Sequence, residues 1–146
     1  MRNVISVDLW KTLIVSHPSY KSERAYRYYQ SSRKEGITVV GCNDILRKIE
    51  SMLDGMMERH EYQYPVVLID DLIGYELNIP IPGMLESVGR NLLMQYPPQL
   101  ISKENIEYLK FLRQEHDIAL VSNTCFIPGK DLRLVLNSWL NEDIFN

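Results

Sequence analysis

Apolar residues fall along this chain in two rhythms. Val4, Ile5 and Val7 crowd together in "NVISVD", and Ile118 to Val121 do the same in "DIALVSNT". Near-continuous apolar runs of this length predict strands buried on both faces, as in parallel sheets, with the first of them central in its sheet. Between the runs the spacing is helical. Tyr20 to Lys34 is charged and tyrosine-rich and stops before Gly36, as helices do. In "CNDILRKIESMLDGMMERHEY", residues Ile45, Leu46, Ile49, Met52, Leu53, Met56 and Met57 recur at steps of three and four. That stripe predicts the clearest helix of the chain, capped by Asn43 or Asp44 and packed through its methionines. Pro65 opens a third helix that runs to Asn78 before Pro80, and "IPIPG" is a linker. Gly83 to Tyr96 reads as a fourth helix closed by Pro97 and Pro98, and Ser102 with Asn105 begins a fifth. After the second apolar run, Leu132, Val135, Leu136, Trp139 and Leu140 lie on or near one face of a last helix, Gly129 to Leu140.

Strand, long helical excursion, helix, strand, helix is an α/β order. Two buried strands joined through helices imply a right-handed parallel crossover, and ligands of such sheets bind beyond the carboxyl ends of the strands. Asp8 and Ser122 sit at those ends. A carboxylate there serves as nucleophile or metal ligand, because the strand fixes it while the next loop offers backbone amides.

Composition narrows the classes. With 146 residues, 45% of them hydrophobic, the chain has enough for one real core. A net charge of −3 gives no basic field for nucleic acid or an anionic membrane. Cys42 and Cys125 stand far apart with no metal-ligand spacing, so neither a disulfide framework nor a zinc site is expected, and the setting reads as reducing and cytoplasmic. No apolar run approaches a membrane span and no secretory h-region opens the chain. Arg24, Arg27, Arg33 and Lys34 among Tyr20, Tyr26, Tyr28 and Tyr29 read as a solvated helix face with tyrosines packing inward, rather than a base-stacking surface. Asp70 and Asp71, about 100° apart on a helix, do not form a metal pair. His17, His60 and His116 share no ligand spacing and read as surface residues.

The stretch Asp8-Leu9-Trp10-Lys11-Thr12-Leu13 resembles the first motif of the haloacid dehalogenase superfamily, and "ALVSNT" resembles its second, with the helical insert similar to that superfamily's cap. The fold implied is an incomplete Rossmann-like parallel sheet, a HAD-like core of residues 1–16 and 99–146, with an inserted α-helical cap at 17–98. The resemblance implies that Asp8 is the nucleophile forming an aspartyl intermediate and that Thr12 steadies the loop. It implies that Ser122, with Asn123 beside it, binds the transferred group of a small anionic substrate. A magnesium ion would be ligated by Asp8 and by the main-chain carbonyl of Trp10 if that substrate is a phosphate.

Departures from the family shape the expectation as much. Its phosphatases carry a second aspartate two residues after the nucleophile to protonate the leaving group; here Trp10 stands there, and an indole cannot do that work. The dehalogenase branch also has an aromatic residue at that place, so the alternatives are dehalogenation or a phosphatase for good leaving groups. Lys11 stands where the family often has glycine. The family's later lysine and acidic motifs have no counterpart before "LNEDIFN", since Lys130 comes too early. The expectation is therefore a truncated or split hydrolase, inactive alone and completed by another chain or a homo-oligomer through an open sheet edge. The competing expectation is a non-catalytic binding or interaction domain on the same scaffold.

Overall fold

The computed structural model describes residues 2–59, 66–80, 84–122, 127 and 129–140. In chain order they form β1 (Val4–Asp8), β2 (Ile14–Val15), α1 (Tyr20–Ser31), α2 (Val39–Glu58), α3 (Val66–Leu77), α4 (Met84–Gln95), β3 (Gln99–Leu100), α5 (Lys103–Arg113), β4 (Asp117–Val121) and α6 (Gly129–Leu140). The two apolar runs meet as expected: β1 and β4 pair in parallel, Val4 with Asp117 through Asp8 with Val121. A second pair, β2 with β3, is antiparallel and only two residues long, Ile14 against Leu100 and Val15 against Gln99. This is a mixed α/β architecture with a short parallel sheet and six helices.

The expected burial of β1 on both faces is corrected. Its exposure alternates along the strand, and Val4 is 64% exposed. Among the described residues β4 is its only partner, so the face carrying Ile5 and Val7 packs on the core while the other looks out. A run of β-branched residues specifies a strand; it does not specify how many neighbours that strand has.

Helix boundaries follow their caps. α5 begins where Ser102 accepts the Glu104 amide at 3.0 Å, the expected start. α2 begins earlier than Asn43: Thr38 Oγ1 accepts the Gly41 amide at 3.1 Å and caps the helix five residues upstream of Asn43. α1 ends at Ser31, short of Lys34, because Ser32 turns extended and donates its hydroxyl to the Leu77 carbonyl at the end of α3. Gly36, at φ +69°, then makes the turn that only glycine makes without strain.

Two apolar clusters result. One gathers Leu9, Leu13, Ile14 and Ile118 with Leu92 and Leu93 of α4 and Leu132, Val135 and Leu136 of α6. The other lies wholly within the helical excursion and includes Tyr28, Cys42, Leu46, Leu53, Ile73 and Leu77. Three sequence expectations change here. Met52 is 44% exposed rather than core, because Cys42, Leu46, Ile49 and Leu53 make the buried stripe of α2. Arg24 is not on a solvated face: it is 3% exposed and bound to Glu50 at 2.7 Å, with Lys21 3.7 Å from the same carboxylate. His17 and His116 are half-buried rather than surface residues; His60 lies outside the described residues.

Candidate functional site

β1 delivers Asp8 to the carboxyl end of the sheet, directly opposite Val121 and one residue before Ser122 on the neighbouring strand. The carboxylate is exposed. Its Oδ2 accepts the Thr12 hydroxyl at 3.1 Å, so the first and fifth residues of the motif are brought together by a tight loop. Within it the Leu9 carbonyl accepts from both Leu13 and Ile14, at 2.9 and 3.1 Å, while the Lys11 amide donates to the Ile14 carbonyl at 2.8 Å. Closing so short a loop drives Lys11 to φ +63°, the left-handed region that favours glycine. Asn105, in the first turn of α5, donates to the Thr12 carbonyl at 3.1 Å and anchors the loop from outside.

Ser122 is placed differently. It lines a cavity of about 280 Å3 between β4 and α6, floored by Leu9, Leu120, Leu132 and Leu136 and rimmed by Lys130, Arg133 and Asn137. Asp8 is not in the wall of that cavity. The pleat explains the separation, since Asp8 and Val121 share one face of the sheet while Leu120 and Ser122 turn to the other. The structure thus joins Asp8 with Thr12 and sets Ser122 beside two cations, as two separate groups. Asn123 lies outside the described residues. In sequence Lys130 reads only as a lysine too early for the family's pattern, and Arg133 and Asn137 carry no signal of their own, although 130, 133 and 137 fall at helical spacing on one face of α6.

Trp10 is half-buried and packs against the first cluster. With Ser16, His17, Tyr20, Tyr96 and Pro98 it encloses a crevice of only about 10 Å3. The His17 ring lies 5.4 Å from that of Tyr96, and its Nδ1 accepts the Ser19 amide at 3.1 Å. The Tyr20 hydroxyl is buried there with no hydrogen-bond partner among the described residues, and burial raises its pKa above the ordinary 10.0, Arg24 working against the rise.

Magnesium is the ion the resemblance implies. The Asp8 carboxylate and the Trp10 carbonyl are hard oxygen donors of the right kind. Among the described residues, however, no group of three or more His, Cys, Asp or Glu side chains comes together to hold a metal. One carboxylate and one carbonyl fall short of a protein site for this ion, and no step below is routed through it.

No protein-family model matches the chain and no curated protein matches its sequence. In three dimensions it is similar to the crystal structure of the HAD-hydrolase YfnB from Bacillus subtilis bound to magnesium, with a TM-score of 0.52 and 18% sequence identity. The match covers 99% of this chain and 61% of that one, so the chain spans about three-fifths of the length of the protein it resembles. At this identity the likeness carries architecture alone: a short parallel sheet with its strand-end loop and helical excursion is a HAD-like fold.

Proposed function

We propose that the chain carries the nucleophile-bearing part of a HAD-like hydrolase acting on a small anionic substrate, either a phosphate ester or a haloacid. The observation that supports this is Asp8: an exposed carboxylate at the carboxyl end of a parallel strand, with one oxygen engaged by Thr12 at 3.1 Å. On this reading the other oxygen, Oδ1, attacks phosphorus or carbon, forming an aspartyl phosphate or an aspartyl ester as the bond to the leaving group breaks; water then cleaves that intermediate, releasing phosphate or the hydroxy acid and restoring the carboxylate. Trp10 has no proton to give, which restricts the leaving group to one stable as an anion, such as an aryl oxide or a halide.

Residues 1–16 and 99–146 are proposed as the core and 17–98 as its cap, supported by an apolar cluster that lies wholly within the excursion. Ser122 and Asn123 are proposed to hold the transferred group, and Asp8 and the Trp10 carbonyl are the groups of this chain that would face magnesium, which would supply charge neutralisation for a phosphate substrate. A cation facing Asp8 is proposed to come from a complementing chain, or a second copy, docked at the open edge of β1, in a cytoplasmic setting. Among the described residues no helix is long and apolar enough to cross a membrane.

One observation favours the second reading, a binding domain without chemistry: among the described residues, Asp8 meets only a hydroxyl. Hydrolysis of an activated aryl phosphate with magnesium, compared between the native chain and Asp8→Asn, separates the two. The hydrolase reading expects the native chain, completed by a second copy, to turn over this substrate and Asp8→Asn to cost at least about a hundredfold in that turnover; equal rates leave the binding domain.

A further inference from the structure

The excursion leaves the sheet through Ser16 and His17 and returns through Tyr96 to Pro98, so these segments form a neck. The contact of the His17 and Tyr96 rings, 5.4 Å between centroids and 55° apart in plane, ties the outgoing segment to the returning one. Trp10 belongs to the Asp8 loop, yet it lines the neck crevice beside Ser16, His17, Tyr20, Tyr96 and Pro98. The space left over is about 10 Å3, room for roughly one water. The indole therefore nearly fills the gap between the two segments. It is also rigidly coupled to the loop behind it. Trp10 bridges to Ile14, the Lys11 amide is bonded to the Ile14 carbonyl at 2.8 Å, and Thr12 holds Asp8 at 3.1 Å.

We propose that Trp10 is a positioning residue: a wedge in the neck that sets the pose of the Asp8 loop according to the seating of the helical excursion. This rests on the reading of Asp8 as a nucleophile. It replaces the question of which proton Trp10 donates with the question of what Trp10 holds, and the answer is the backbone between residues 9 and 14. An aspartate at this place would be too short and too polar to fill the crevice, so a carboxylate acid and a filled neck exclude one another here.

The chain has two tryptophans, and Trp139→Phe leaves Trp10 as the sole indole reporter. In that background Tyr96→Ala, which removes one wall of the crevice, is expected to move the Trp10 emission to longer wavelength. Aryl phosphate hydrolysis is expected to fall roughly 10²-fold in kcat for Trp10→Ala, as displacement of a reacting group does, with KM changed by less than about twofold and with Trp10→Phe recovering most of the loss. Trp10→Asp is expected to behave like Trp10→Ala. Should Trp10→Ala not fold, Tyr96→Ala and Trp10→Phe carry the test, the first expected to lower kcat and the second to retain it. A gain in turnover for Trp10→Asp, or an Asp8-dependent rate untouched by Trp10→Ala and Tyr96→Ala, overturns the wedge while leaving the nucleophile in place. A rate indifferent to Asp8→Asn removes the nucleophile, and the wedge with it.

Discussion

Lys11 holds the least comfortable backbone of the site. At φ +63° a lysine costs on the order of 1 kcal/mol relative to glycine, and the loop tolerates it because the hydrogen bonds of Leu9, Lys11 and Ile14 fix the neighbours on both sides. Lys11→Gly relieves that strain but gives the unfolded chain more freedom. The expected net result is a rise in stability of up to about 1 kcal/mol in urea denaturation, and a fall would show that the lysine stem contributes contacts that outweigh the strain. Arg24 is a residue that its local pattern misplaces. Helical spacing set it among exposed charges, whereas its 3% exposure and its 2.7 Å bond to Glu50 make it an internal tie between α1 and α2. A side chain that long reaches a partner 26 residues away, which no local pattern reveals.

Elements were legible in proportion to their length and to the clarity of their caps. α5 starts at Ser102 as its sequence says, and Ser102→Ala is expected to cost about 1 kcal/mol, read as a lower midpoint in thermal or urea melts. Ser102→Asn, which keeps an oxygen to accept the Glu104 amide and an N–H to take the place of the hydroxyl facing the Glu104 carboxylate, should recover most of the loss; no recovery would mean that the cap depends on more than these two bonds. α2 shows the opposite case. Val39 and Val40 are β-branched and hide the capping role of Thr38, so the helix was expected to begin at a later polar pair. β2 and β3, two residues each, are too short for any period-2 signal and exist only because Ile14 and Leu100 meet across the neck. At the site, Asp8 stands out in sequence because a strand end is a local feature, whereas the role of Thr12 comes from the family resemblance alone. The companions of Ser122 were not legible, since their grouping depends on how α6 lies over the sheet.

Across the whole molecule the two apolar clusters raise the question of whether sheet and excursion open together. Tyr20, Leu92 and Leu93, at the beginning and end of the excursion, are buried in the sheet's cluster, and half-buried Val88 packs against both clusters. Yet α1, α2 and α3 pack mainly on one another around Ile73 and Leu77, each 0% exposed. Cys42 reports on that second cluster. Its thiol is fully buried and burial pushes its pKa above the ordinary 9.0, so it reacts with a disulfide reagent only when the surrounding helices part. In a Cys125→Ser background, Ile73→Ala removes buried volume from the cluster that holds Cys42 and is expected to cost about 2–5 kcal/mol locally. Ile118→Ala removes comparable volume from the sheet's cluster. If the excursion opens independently, Ile73→Ala accelerates labelling of Cys42 by orders of magnitude while Ile118→Ala leaves it nearly unchanged, despite lowering the global melt. If both substitutions accelerate labelling in step with their effect on the melt, the molecule opens as one unit. Motion at the neck would then be partial unfolding rather than hinge movement, and the reach of Trp10 between excursion and sheet would be felt only in the closed state.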